Sequence, residues 1–167
     1  MPETPPFDRS RLPAPTKRRD GTEILDLDTY APFLVNALGG AWQRLSSADY
    51  RKRFGIGMVE WRVMAMLAIE PGITAARICQ VIRMDKAAAS RALADLDGKG
   101  HLEFEADESD PRKRRWRLSA KGTETHAAVL EAALGHEARM VDGVGPEEFG
   151  VFLAVLRRML ANLDPQD

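Results

Sequence analysis

The 167-residue chain is 44% hydrophobic and 29% charged, the proportions of an ordinary globular protein with one substantial core. No apolar run approaches the roughly 20 residues that span a bilayer, and the first residues lack the basic-then-apolar order of a secretory signal, so a cytoplasmic protein is expected. The single cysteine, Cys79, excludes an internal disulfide, and the net charge of −1 hides a division: residues 1–71 carry +1, residues 72–122 carry +3 and residues 123–167 carry −5.

Residues 1–22 hold five of the ten prolines and the cluster Lys17-Arg18-Arg19, and are expected to form a mostly disordered arm. A helix is predicted from Asp28 or Thr29 to about Arg53, with Tyr30, Phe33, Leu34, Ala37, Leu38, Ala41, Trp42 and Leu45 recurring at three and four. Phe54-Gly55-Ile56-Gly57 breaks it, and a second helix follows over Met58–Ile69, stopped by Pro71-Gly72. Thr74 caps a short helix over Ala75–Ile82, and Asp85 caps the next, Lys86 to about Gly98, whose inward positions are Ala89, Leu93 and Leu96. Gly100 closes that helix in the left-handed conformation.

Alternation over His101–Ala106, a polar turn, and alternation again over Arg114–Ser119 predict a β-hairpin. Two helices complete the chain, about Ala120–Met140 and Pro146–Leu163, the last with the stripe Phe149, Phe152, Val155, Leu156, Met159, Leu160 and Leu163. The fold class is therefore mainly α with a small β-hairpin, α+β overall.

Two short helices joined by a tight turn, then an arginine-rich hairpin, make a helix-turn-helix with a wing. A B-form major groove admits the second helix. Removing its buried stripe leaves Lys86, Ala87, Ala88, Ser90 and Arg91 facing outward, with cations for phosphates or guanine and methyls for thymine. The hairpin tip and return strand add Arg112, Lys113, Arg114, Arg115 and Arg117, one of which suits a narrow minor groove. A basic hairpin alone is as readily a solvated loop; its position directly after the helix pair carries the inference.

The stretches Glu60-Trp61-Arg62-Val63-Met64, Asp85 through Leu93, and Lys99-Gly100-His101-Leu102 resemble the MarR family of regulators. So does the wing, from Asp110-Pro111-Arg112 to Leu118-Ser119-Ala120-Lys121-Gly122, and the resemblance spans about residues 28–163. It implies a winged helix-turn-helix domain over 58–119 and a helical dimerisation region over 23–57 and 120–167. It further implies a homodimer on a palindromic operator, released by a small ligand. The sequence departs from the family at Ala87 and Ala88, where relatives usually carry hydroxyl residues, which shifts expected base reading toward thymine methyls.

Relatives commonly sense aromatic acids or their thioesters, and Trp42, Tyr50, Trp61, Arg44 and Arg62 are the candidates to hold one here. The tryptophans equally suit a core. Cys79, spaced with Ile78 and Ile82, is expected to be an inert core thiol rather than an oxidant sensor. His101, His126 and His136 have no metal-ligand spacing, no cofactor motif appears, and no nucleophile motif or phosphate loop suggests an enzyme. Three functions stay open: a ligand-released repressor, a ligand-independent activator or architectural DNA-binding protein, and a helical protein-interaction adaptor.

Overall fold

Three helices begin where a side chain can satisfy one of their first free N–H groups. In the computed structural model, which describes residues 12–106, 110 and 113–163, Thr74 Oγ1 accepts from Arg77 N and Asp85 carboxylate accepts from Ala88 N at 2.9 Å. Ser119 Oγ accepts from Gly122 N at 3.0 Å in the same way. The chain falls into two compact units, one up to Leu45 and one from Ser46.

The first unit holds a β-hairpin, β1 (Thr16–Arg19) and β2 (Thr22–Leu25), and the first part of α1 (Ala31–Phe54). The hairpin corrects the expected arm over residues 16–22. Thr16 pairs with Leu25 and Arg19 with Thr22, and the turn residues Asp20 and Gly21 both have positive φ, the signature of a two-residue hairpin turn built on Asp-Gly. Lys17 reaches Asp26 at 3.0 Å, and Thr29 Oγ1 donates to Ala14 O at 2.7 Å. α1 leaves Phe33, Leu34, Val35 and Leu38 exposed.

The second unit contains the end of α1, then α2 (Met58–Ile69), β3 (Ile73–Thr74), α3 (Ala75–Ile82), α4 (Lys86–Gly98), β4 (Leu102–Ala106), β5 (Arg114–Leu118), α5 (Ala120–Met140) and α6 (Pro146–Leu163). The expected hairpin is two strands of a three-stranded antiparallel sheet in the order β3-β5-β4. The added strand β3 is two residues long, too short for any periodicity, and is held by pairing Ile73 with Trp116 and Thr74 with Arg115.

α2 is apolar around most of its circumference because it packs against α4, α5 and β5 at once. Val63, Met64 and Leu67 from α2 meet Ile78, Leu93, Leu96 and Trp116 in the core. Glu60 accepts from Gly57 N and from Lys99 Nζ, and Lys99 Nζ also donates to Gly55 O, which ties the start of α2 to the end of α4. α6 has no buried residue, and its Val151, Phe152, Met159 and Leu160 are exposed. Among the described residues no helix is long and apolar enough to cross a membrane.

Candidate nucleic-acid interface

α3 and α4 are joined by a turn at Arg83, which takes the left-handed conformation (φ 50°, ψ 53°), while Met84 N donates to Cys79 O. The turn is tight because α4 can begin at once on its Asp85 cap. Ala89, Ala92, Leu93 and Leu96 go inward, so Lys86, Ala87, Ser90 and Arg91 are exposed along the opposite face. Ala88 is only half-buried, its backbone taken up by the cap. Neither Lys86 nor Arg91 pairs with an acid among the described residues, leaving both charges available. The amino end of α4 adds its own partial positive charge beside Lys86.

Between α4 and β5 lies an open cleft of about 800 Å³. Lys86, Ser90, Leu93, Ala94, Asp97 and Gly98 form one wall, Lys113, Arg114 and Trp116 the other, and Thr74, Ala75 and Ala76 close it at the start of α3. Three cations face one carboxylate. The contribution of Thr74–Ala76 was not anticipated from sequence, where Thr74 signals only a helix cap. Asp97 was missed because an acid in a helix interior reads as solvated surface.

Strand alternation divides the wing arginines. Arg114 and Trp116 share the cleft side of β5, whereas Arg115 and Arg117 lie on the other face. Arg115 donates to Gly72 O at 3.3 Å. Arg117 is held by Glu105 and Glu103 across the ladder, and the Glu105 hydrogen bond, then that of Glu103, push its pKa above the ordinary guanidinium value. The sequence expectation groups Arg112, Lys113, Arg114, Arg115 and Arg117 as one basic tip and return strand, whereas the ladder puts Arg115 and Arg117 on the face opposite Arg114. Lys113 pairs loosely with Asp110 at 3.7 Å, an exposed contact worth at most about 1 kcal/mol. Arg112 and the residues 107–109 and 111 of the turn lie outside the described residues.

The effector candidates separate as well. Trp42 and Arg44 belong to the first unit, and Tyr50, Trp61 and Arg62 to the second. Tyr50 is fully buried, stacked on His136 with centroids 5.6 Å apart and edge-on to Trp61 at 6.1 Å. Trp61 stacks on His126 at 5.3 Å, while Arg62 is exposed. The buried hydroxyls of Ser46 and Tyr50, one turn apart on α1, make no well-formed hydrogen bond. Burial pushes the Tyr50 hydroxyl above its usual pKa, offset in part by Ser46. Cys79 is partly exposed, so the expectation of a core thiol is corrected: one edge of α3 faces outward there. Among the described residues no group of histidine, cysteine and carboxylate side chains is placed to hold a metal.

Two histidines clasp α5 to its neighbours and give the domain a pH dependence. Burial pushes His101 below its ordinary value, helped by Lys121 and Lys99, and burial alone does so for His126. The unfolded chain therefore takes up protons first as pH falls. Their contribution to stability is complete above about pH 6.5 and declines below it, by at most about 1.4 kcal/mol per pH unit for each histidine. Melting should occur at lower temperature at pH 5.5 than at pH 7.5, and His126→Phe, which keeps a ring against Trp61, should shrink the difference. A wild-type melting temperature that is flat over that range contradicts the assignment.

Comparison with known proteins agrees with this geometry. A family model described as the MarR family matches residues 54–113, from the end of α1 to the wing. The transcriptional regulator HosA of Escherichia coli O127:H6 is 26% identical over 101 residues, covering 60% of this chain and 75% of that protein. A MarR-family transcriptional regulator from Silicibacter pomeroyi superposes with TM-score 0.74 at 26% identity, covering 85% of this chain and 95% of its own. A MarR/EmrR-family regulator from Acinetobacter sp. ADP1 gives 0.76 at 25% identity, covering 85% of this chain and all of that one.

Proposed function

We propose that this chain is a winged helix-turn-helix DNA-binding regulator of the MarR family, a homodimeric repressor released from a palindromic operator by a small aromatic acid or its thioester. The observation that carries DNA binding is the unpaired cationic face of α4, with Lys86 and Arg91, set across an open cleft from Arg114. α4 would enter the major groove by its amino end, with Ser90 and the methyl of Ala87 against base edges and Lys86 and Arg91 against phosphate or guanine. Lys113 and Arg114 would follow the neighbouring groove.

The homodimer is supported by α6, a helix with an apolar stripe and no buried residue, and by the exposed Phe33, Leu34 and Leu38 of α1. An apolar surface of that extent is what a partner subunit removes from water. Two-fold symmetry then doubles the contacts on paired half-sites one helical turn apart. The effector reading is supported by the aromatic cluster at Tyr50 and Trp61 with its unsatisfied hydroxyls, and by Arg62 nearby in sequence. An aromatic ring with a polar acceptor matches that chemistry.

Competition decides the matter. A duplex recovered from genomic fragments by the full chain should bind at least about 10³-fold more tightly than its shuffled sequence at near-physiological salt. A preference below tenfold contradicts sequence-specific regulation and favours the adaptor alternative. In the same assay, a panel of aromatic carboxylates and thioesters should release the duplex and change tryptophan fluorescence. Specific binding with no release by any of them points to the ligand-independent alternative.

A further inference from the structure

Leu102 and Trp116 are buried on one face of the β4–β5 hairpin, yet Phe104, which lies opposite Trp116 and two residues beyond Leu102 on that face, is 44% exposed. A large ring left in water on a two-stranded wing is unfavourable unless something uses it. The guanidinium of Arg114 uses it. Its central carbon lies 4.1 Å from the centroid of the Phe104 ring and 5.5 Å from that of Trp116, and the two rings are themselves 5.1 Å apart. The register places Phe104 opposite Trp116 and Ala106 opposite Arg114, so Phe104 reaches Arg114 along the diagonal of one face.

We propose that Phe104 is a positioning residue for DNA binding: it holds the Arg114 guanidinium at the cleft mouth in the orientation that meets the duplex. This rests on the DNA-binding function proposed above. A guanidinium stacked on a ring spends none of its donors, since all five N–H bonds lie in its plane and point outward past the ring edge. The stack instead removes the rotamer freedom that a long exposed arginine would otherwise lose on binding. Phe104 therefore acts on affinity through Arg114, without touching the duplex itself. The stabilisation of a cation over an exposed ring corresponds to roughly two- to fivefold at each wing, so about five- to thirtyfold for a symmetric dimer.

The test is a double-mutant cycle on the full chain, using a duplex selected from random-sequence DNA by the wild-type protein. Phe104→Leu should weaken binding by about five- to thirtyfold, while Phe104→Tyr, which keeps the ring, should stay within about twofold of wild type. Arg114→Ala should weaken binding at least as much as Phe104→Leu, and adding Phe104→Leu to Arg114→Ala should cost nothing more. A loss from Phe104→Leu that persists undiminished in the Arg114→Ala background shows that the ring acts through the hairpin structure, and overturns the proposal. So does a Phe104→Leu variant that binds as tightly as wild type, or more tightly, while Arg114→Ala is weak. Wild-type affinity of Arg114→Ala is a different failure, because it removes the wing from the DNA interface altogether.

Discussion

Gly122→Ala should leave little folded protein, the largest effect of any single methyl group in this chain. The first turn of α5 lies directly against the end of α4, where Ser119 N donates to His101 O and Ser119 Oγ donates to Gly100 O. A Cβ built at Gly122 would sit 2.0 Å from His101 O and 2.9 Å from its carbonyl carbon. Both atoms are backbone, fixed by the Ser119 hydrogen bond, so no rotamer change makes room. The helix would have to lift from the domain, opening the contacts of His101 and Val129 with it. A cost above about 4 kcal/mol follows from the mechanism, a large part of the 5–15 kcal/mol that holds a domain of this size together. The melting temperature should fall by at least about 10 °C, with DNA binding lost in parallel. Gly135→Ala is the control. It lies in the same helix with nothing within 4 Å of the added carbon, and should stabilise by about 0.5–1 kcal/mol. Melting of Gly122→Ala within about 2 °C of wild type would show that α5 does not approach His101 in this way.

That contact also marks where sequence reading stops. Leu118-Ser119-Ala120-Lys121-Gly122 is visible in the sequence as a family pattern, but the reason for its glycine lies in a carbonyl 21 residues earlier. Local signals did far better. Caps at Thr74 and Asp85, the inward stripe Ala89, Leu93, Leu96, and the left-handed Gly100 fix α3 and α4 without any tertiary knowledge. The strands β1, β2 and β3 escaped because four residues, or two, carry no measurable alternation. At the candidate site the signal was present and the difficulty was of another kind. Alternation along Arg114–Leu118 already separates Arg114 from Arg115 and Arg117, and the acids at Glu103 and Glu105 already sit at the positions that neutralise Arg117. Counting arginines obscured what the two-residue period says. The stack of Phe104 under Arg114 needed the register of two strands, which only the folded hairpin supplies.

Removing Lys86 and Arg114 together should cut operator affinity by about a thousandfold and roughly halve its salt dependence. The described cations proposed to meet phosphate are Lys86 and Arg91 on α4 and Lys113 and Arg114 on the wing, four per subunit and eight for the proposed dimer. Each phosphate neutralised contributes about −0.9 to the slope of log K against log salt, so wild type should show roughly −7. The double variant loses four contacts per dimer, which brings the slope to about −3.5. Counterion release at 0.15 M salt is worth about 0.7 log units per contact, and four contacts give the thousandfold loss. Arg117→Ala serves as the comparison, because Glu103 and Glu105 already satisfy that guanidinium on the far face of the sheet. Its slope should match wild type. Titrations at four salt concentrations between 0.05 and about 0.3 M resolve slopes that differ twofold. If the double variant keeps the wild-type slope, the cleft between α4 and β5 does not carry phosphate, and the DNA-binding surface must be sought on another face of the domain. If Arg117→Ala lowers the slope as much as either cleft residue, the division of the wing into a binding side and an internally paired side is wrong.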